Sequence, residues 1–392
     1  MGGHPATPAA SAGAPAASGR IGSIDALRGL VMVLMLVDHV REFFYLHAQV
    51  RDPMDLAATP TDLVLTRAAS HLCAPVFILL TGLSASLYGQ RHGKREAAAF
   101  LLKRGLLLIL LEATLVNLAW TRSLFPPILY LQVIWAIGLS MVALAGLLAL
   151  PRTLLAGLAL LIMLGHNLLD GLVLHTGEPG YVLWSILHQR GMIGLPWGGV
   201  ARTSYPVLPW IGVIAAGYVL GSLFSDGVRP ERRQRSLAAL GLSALCAFLI
   251  LRAVNGYGEP VPWQPGLGPL ATMLSFINLT KYPPSADFLL LTLGLGLCLL
   301  ALFERVPARM LVWLRVFGGA PMFFYLLHLA LLRLLHDGAQ AFGLAGASGR
   351  IEAGSPADLW LIAAGLSMPL WLACRWMVAL KRRTPAPVLR YL

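Results

Sequence analysis

Charge is scarce in this chain. Asp, Glu, Lys and Arg make up 12% of its 392 residues, where a soluble domain carries roughly 25%. Acids are the rarer sign, 18 against 30 basic residues, which leaves a net charge of +12. Cysteine is also rare. Cys73, Cys246, Cys298 and Cys374 lie far apart, and no spacing suggests a zinc site or a disulfide frame. They read as buried thiols acting as small apolar residues. There is no Walker motif, no Rossmann glycine fingerprint and no long internal repeat, so nothing points to nucleotide-driven work. Residues 1–19 contain no Lys or Arg and no Leu-rich core, so they lack the marks of a signal peptide. They read as a disordered cytoplasmic tail ahead of an uncleaved signal-anchor.

What is abundant is apolar sequence. Hydrophobic residues reach 57% and the mean hydropathy is +0.72. They fall in blocks of roughly 20, the length that crosses a bilayer. The fold class expected is all-α, a polytopic transmembrane helical bundle of about ten spans. These cover approximately 24–46, 66–88, 98–119, 128–149, 152–174, 206–225, 236–254, 285–303, 316–336 and 358–380. Basic clusters follow alternate spans: Arg91, Lys94 and Arg95, then Arg232, Arg233 and Arg235, then Arg305 and Arg309, then Lys381, Arg382 and Arg383. The positive-inside rule therefore places both termini in the cytoplasm. It also explains the net charge without nucleic acid.

Arg outnumbers Lys, and Ala, Leu and Gly dominate, which suits a high-GC bacterium and its inner (cytoplasmic) membrane. One domain is expected over 20–383, with a second cytoplasmic tail over 384–392. Three outer segments, about 175–205, 255–284 and 337–357, are rich in Pro, Gly and Trp with little helical pattern. They read as passive connectors or as a cap over an outward cavity. Gly217-Tyr-Val-Leu-Gly221 is a small-xxx-small pair that marks close helix packing.

The first span carries ionisable residues at both ends. Helical spacing puts Asp25, Arg28, Met32, Met35, His39 and Glu42 near one stripe. Lipid rejects such charges, so the stripe should face protein or a cavity. Arg28 and His39 are about 16 Å apart along the axis, the reach of a long thin substrate such as an acyl-coenzyme A. Structural readings stand beside these. Asp25 and Arg28 also fit a helix-start ion pair, and His39 fits a satisfied interfacial histidine. Asp38 points about 100° away from His39 and is placed to contact Arg41.

Asp25-x-Leu27-Arg28-Gly29 followed by His39 resembles the first span of the transmembrane acyltransferase superfamily, the acyltransferase type-three proteins. The closer resemblance is to the bacterial branch related to heparan-α-glucosaminide N-acetyltransferase. It rests on Arg20–Gly29 with Asp38-His-Val-Arg41, and on Thr66–Phe77 leading to Gly82. Asn278-Leu-Thr-Lys-Tyr-Pro-Pro-Ser285 and Phe323-Phe-Tyr-Leu-Leu-His328 complete it. The resemblance implies an acyl group, usually acetyl, taken from cytoplasmic acetyl-CoA as co-substrate. The group goes to a sugar or glycan on the extracytoplasmic side. It also implies a catalytic histidine at His39, with His71 left open as the base.

Other polar residues fall toward the same half of the membrane as His39. They are Arg67 and His71, one turn apart, Asn117, Lys281, Tyr282, Tyr325 and His328. The catalytic candidates are His39, Asp38, His71 and His328, with Asp38 or His71 orienting the base. Asp25 and Arg28 are the coenzyme candidates, since Arg suits phosphate. Arg41, Arg67, Asn117, Lys281, Tyr282 and Tyr325 are the substrate candidates, and some would serve as oxyanion donors. A covalent acetyl-histidine is open. Each of these has a structural alternative: a backbone partner freed by Pro75 for His71, an interhelical contact for His328, an interface anchor for Lys281-Tyr282. Glu112 should pair with an Arg on another helix. His188 and Arg190 are acceptor contacts or solvated loop residues. Expected partners are an acyl-CoA donor, a carbohydrate acceptor and membrane lipid, with a homodimer open, no nucleic acid and no metal. The competing function is a transporter or flippase, because intramembrane charge also marks proton relays and substrate paths.

Overall fold

The structure is a computed structural model that describes residues 21–44, 50–266, 268–344, 346 and 351–384. The expected tail over 1–19, and the second tail beyond 384, lie outside the described residues. Fifteen α-helices run in order among them: α1 (Gly22–Phe44), α2 (Thr61–Ser70), α3 (Cys73–His92), α4 (Lys94–Leu111), α5 (Asn117–Thr121), α6 (Val133–Leu147), α7 (Arg152–Gly165), α8 (Tyr181–Leu187), α9 (Leu208–Leu220), α10 (Pro230–Val254), α11 (Pro269–Ile277), α12 (Ala286–Phe303), α13 (Val312–Gly318), α14 (Pro321–Ala341) and α15 (Pro356–Arg383). Helix is the expected answer for apolar runs in lipid, because it satisfies each backbone group within its own segment.

Among the described residues six helical stretches are long and apolar enough to cross a membrane: 61–92, which covers α2 and α3, 152–169, 230–254, 286–303, 321–341 and 356–383. Two shorter apolar helices cover 133–147 and 208–224. Each of the ten expected spans contains helix, but several differ in detail. The fourth begins as strand β1 (Ile128–Leu131). The third is interrupted by a π-helical turn, Glu112–Val116, between α4 and α5. The ninth is two helices, α13 and α14, the second starting at Pro321.

The outer segments also hold more structure than their composition suggests. α8 and α11 lie within them, and α14 runs to Ala341. Strands β2 (Met192–Gly194) and β3 (Val200–Thr203) form a small sheet with β1. β3 is the middle strand, parallel to β1 with Ile128 opposite Val200, and antiparallel to β2 with Met192 opposite Arg202.

α1, α3 and α12 are the most buried of the long helices, while α7, α10 and α15 show most of their surface. The peripheral helices turn Leu161, Ile250, Leu361 and Trp376 outward, as lipid-facing helices do. Cys73 and Cys374 are buried, Cys298 is half-buried, and Cys246 departs from expectation by pointing out from α10.

Small residues let the inner helices touch backbone to backbone. A Cβ at Gly217 of α9 would lie 2.0 Å from the Leu79 carbonyl of α3, and one at Gly221 would lie 2.3 Å from Ser86 Cβ. The small-xxx-small pair is thus a packing face. α1 meets α13 in the same way: Cβ atoms at Gly29 and Gly318 would lie 1.9 Å from the Leu314 and Asp25 carbonyl oxygens.

The 255–285 segment is held from several sides. Arg252, buried near the end of α10, donates to the carbonyls of Val261, Ser275, Phe276 and Asn278. Glu259 accepts from Thr280 N at 3.0 Å and Ser285 Oγ at 2.6 Å. Burial pushes the Glu259 carboxyl up from its ordinary range, against the pull of these hydrogen bonds. Asn278 exchanges hydrogen bonds with the backbone of Met54. The Asp52 carboxylate accepts from Lys281 N at 2.7 Å. This scaffold fixes where Lys281 stands.

Candidate active site

A cavity of about 410 Å³ runs along α1 and α3. Asp25, Arg28, Ser84, Arg91, Arg104 and Lys381 line one part of it. Asp38, His39, Tyr205, Lys281 and Tyr325 line another. Met35, Phe77, Ile137 and Met141 are among the apolar residues of its wall. The α1 stripe therefore faces this cavity at Asp25, Arg28, Met35 and His39.

His39 and His328 meet across α1 and α14. His39 Nδ1 is 2.6 Å from His328 Nε2, with the rings 4° from parallel. His328 Nδ1 lies 2.8 Å from the Phe324 carbonyl oxygen, one turn earlier on α14. A carbonyl only accepts, so His328 carries its proton on Nδ1 and its Nε2 is a lone pair. That lone pair accepts the Nδ1 proton of His39. The remaining nitrogen of His39, Nε2, is then unprotonated. Trp120 and Tyr325 set their rings edge-on to His39, at centroid distances of 5.5 and 6.0 Å. The Tyr325 hydroxyl is buried and meets no hydrogen-bond partner, which is a costly state for a donor.

The hydrogen bond that His39 makes is with His328 and not with Asp38. Its carboxylate receives Arg41 Nη2 at 3.1 Å and Arg67 Nη1 at 3.4 Å. Arg41 also meets Glu42. Both guanidinium groups are buried and lie outside the cavity lining. Arg41 and Arg67 are accordingly counter-ions of Asp38. His71 is buried against Phe288, with ring centroids 5.2 Å apart, and is likewise absent from the lining. The residue on His39 is His328, where the sequence pointed to Asp38 or His71.

Asn117 is held by backbone. Its amide donates to the Glu112 and Tyr130 carbonyls at 2.7 and 2.9 Å, and its oxygen accepts from Tyr130 N at 2.9 Å. It ties the π turn to β1 and is buried outside the cavity lining. Glu112 has no Arg partner among its described contacts. Its Oε2 accepts from Trp135 N at 3.1 Å, at the start of α6, where a helix favours negative charge.

Lys281 reaches the cavity from the 255–285 segment, with Nζ 5.3 Å from the centre of the Tyr282 ring. Tyr282 itself lies behind it, its hydroxyl 3.2 Å from that of Tyr205, and Tyr205 is the one that lines the cavity. Burial raises the Asp52 carboxyl above its ordinary value, although Arg67 and the Lys281 amide pull it down. Arg28 is engaged with Asp25 Oδ1 at 2.9 Å, Ser84 Oγ at 3.1 Å and the Gly318 carbonyl at 3.2 Å. The ion pair and the cavity position are both real. Arg91, Arg104 and Lys381 join Arg28 in the same lining. The sequence marked Arg91 and Lys381 only as topology signals. Tyr205 carried no signal at all.

Residues 20–252 match the model of a protein family described as heparan-alpha-glucosaminide N-acetyltransferase, catalytic. The chain belongs to that family. A search among curated proteins finds no match. Membership makes the chain a membrane acetyltransferase by class. The matched region of this heparan-alpha-glucosaminide N-acetyltransferase family member contains Asp25, Arg28, Asp38, His39 and His71. Lys281, Tyr325 and His328 come from the chain beyond it, so the cavity is completed by α14 and the 255–285 segment.

Proposed function

We propose that the protein moves an acetyl group from acetyl-CoA to an amine or hydroxyl of a sugar or glycan, with His39 as the general base. The observation that carries this reading is the chain Phe324 carbonyl–His328–His39, which leaves one basic nitrogen on a residue lining the cavity. The acceptor N–H or O–H gives its proton to His39 Nε2 as its heteroatom bonds to the acyl carbon. The C–S bond then breaks, and the coenzyme thiolate takes up the proton from His39. The Lys281 ammonium is the donor on the cavity wall available to the oxyanion. Arg28, Arg91, Arg104 and Lys381 offer cationic contacts to the coenzyme phosphates. The distance along α1 from Arg28 to His39, about 16 Å, suits a coenzyme arm laid between them.

The same reading places both termini and the basic loops in the cytoplasm of a bacterial inner membrane, because those loops collect the positive charge. Acetyl-CoA would then enter from the Arg28 side, and the carbohydrate would meet His39 from the side of the 255–285 segment. Purified protein in detergent, given acetyl-CoA and glucosamine, should release coenzyme thiol and acetylated sugar. His39→Ala should lower turnover by about 100- to 10,000-fold with expression intact. Turnover within a few-fold of wild type in that variant would remove His39 from its role. Gradient-dependent sugar uptake into vesicles without thioester loss would favour a transporter instead.

A further inference from the structure

A second group of histidines lies outside the cavity lining and has no part in the acetyl transfer. His166 sits in the 3-10 turn His166–Leu169 that ends α7. Asp170 follows that turn, and His188 closes α8. One ligand atom from each of the three lies within 4.8 Å of the others. His166 and His188 are 2% and 3% exposed, so their ring nitrogens are beyond the reach of bulk water. Neither nitrogen of His166 meets a hydrogen-bond partner, and Nδ1 of His188 has none either. The Pro284 carbonyl is near the His166 ring but outside hydrogen-bond geometry. His188 Nε2 is 3.0 Å from Asp170 Oδ1.

Buried imidazole nitrogens without partners are unusual in a folded protein. Two such rings converging on one carboxylate match the ligand chemistry of a divalent transition metal. We propose that His166, Asp170 and His188 form a zinc site. Two neutral imidazoles and a carboxylate are a common three-residue zinc set, with the fourth tetrahedral position open to water or another ligand.

The carboxylate of the site has an outer partner. Asn167 Nδ2 donates to Asp170 Oδ2 at 2.8 Å, which orients the carboxylate. The other end of that amide, Oδ1, accepts from Ala286 N at 2.9 Å, at the start of α12. The Trp184 ring lies 4.9 Å from His188 and shields one side. Outer partners of this kind fix ligand orientation. The ion would join the ends of α7 and α8 to the segment that ends at Ala286. That segment also carries Lys281 into the cavity, so the zinc would brace a wall of the active site from behind.

The test uses full-length protein purified in detergent through an affinity tag without histidine. Protein stripped with a chelator and dialysed against zinc should hold about one zinc per chain by elemental analysis, and its melting temperature should rise on zinc addition. Cobalt in place of zinc should give visible absorption bands of a tetrahedral site. His166→Ala and His188→Ala should reduce zinc to background and abolish the melting shift. Asn167→Ala should weaken zinc affinity about 10- to 100-fold. Asp170→Asn, which keeps a hydrogen-bonding group beside Asn167 and His188, serves if an alanine variant does not fold, and should lose the cobalt spectrum. His39→Ala should keep its zinc. The proposal fails if folded wild type retains no zinc or cobalt. It also fails if the His166 and Asp170 variants bind as much as wild type.

Discussion

The protein contains two histidine clusters whose hydrogen bonds are arranged in opposite ways. At the His39–His328 pair every nitrogen but one is committed, and a backbone carbonyl at the far end dictates where the protons sit. At His166–His188 both nitrogens of His166 and Nδ1 of His188 are buried without partners, and one ligand atom from each ring lies within 4.8 Å of an Asp170 oxygen. The first arrangement isolates a single lone pair, as a proton acceptor requires. The second brings one nitrogen from each of two rings and a carboxylate oxygen toward one point, as a cation requires. Burial alone does not distinguish them, since His166, His188 and His328 are all buried. The difference lies in which partner atoms surround the rings.

Perturbing each cluster separately is the direct way to break this comparison. His39→Ala gives the largest effect, the turnover loss of about 100- to 10,000-fold described above, with zinc content unchanged. Equal loss of zinc would merge the two clusters. Asp38→Asn comes next, because it leaves Arg41 and Arg67 buried against a neutral group. That costs about 3–5 kcal/mol of stability, read as a lower melting temperature in detergent. A melting temperature equal to wild type would show that Asp38 is not the counter-ion holding both.

His328→Gln should reduce turnover roughly 10- to 1,000-fold by releasing the His39 tautomer, with the KM for acetyl-CoA little changed. The corresponding change at His188 should act on metal content instead. Arg104→Gln tests the other part of the cavity. One charged hydrogen bond to phosphate is worth about 1.5–3 kcal/mol, so the KM for acetyl-CoA should rise about 10-fold or more with kcat held. A fall in kcat alone would put Arg104 nearer the reacting centre.

The smallest effect concerns pH. Burial raises the Glu259 carboxyl above its ordinary value. As pH rises, the unfolded chain therefore loses this proton first, near pH 4. Stability from this group is full below that point and falls as pH climbs through the higher folded value. Wild type should lose more melting temperature than Glu259→Gln between pH 4 and 7. Parallel curves would show that the buried carboxyl keeps its ordinary titration.

Helical class, membrane character and the cavity face of α1 were legible because they are local. Apolar run length, charge spacing and the 3.6-residue period need no knowledge of neighbours. Gly217 and Gly221 were legible for the same reason. Partners were not. Asp38, Arg67 and Asn117 are polar residues at similar depth in the sequence. Only packing shows that two of them form an ion network and that the third is occupied by the backbone of β1. The π turn that sets Glu112 against α6 leaves no mark in the apolar pattern. The missed zinc set had one faint local signal, His166 and Asp170 four residues apart on a helical path. His188 joins them only through the turn that reverses the chain after α7 and through α8.

By itself the sequence determined a helical membrane protein with an ionisable first helix and a family resemblance, since these rest on composition and on spacing along one helix. Tertiary structure decided which histidine touches His39, which arginines hold Asp38 and which face the cavity. The reason is physical: a hydrogen bond depends on atoms within about 3 Å of each other. Between α1 and α14 that proximity is created by chain folding across 289 positions.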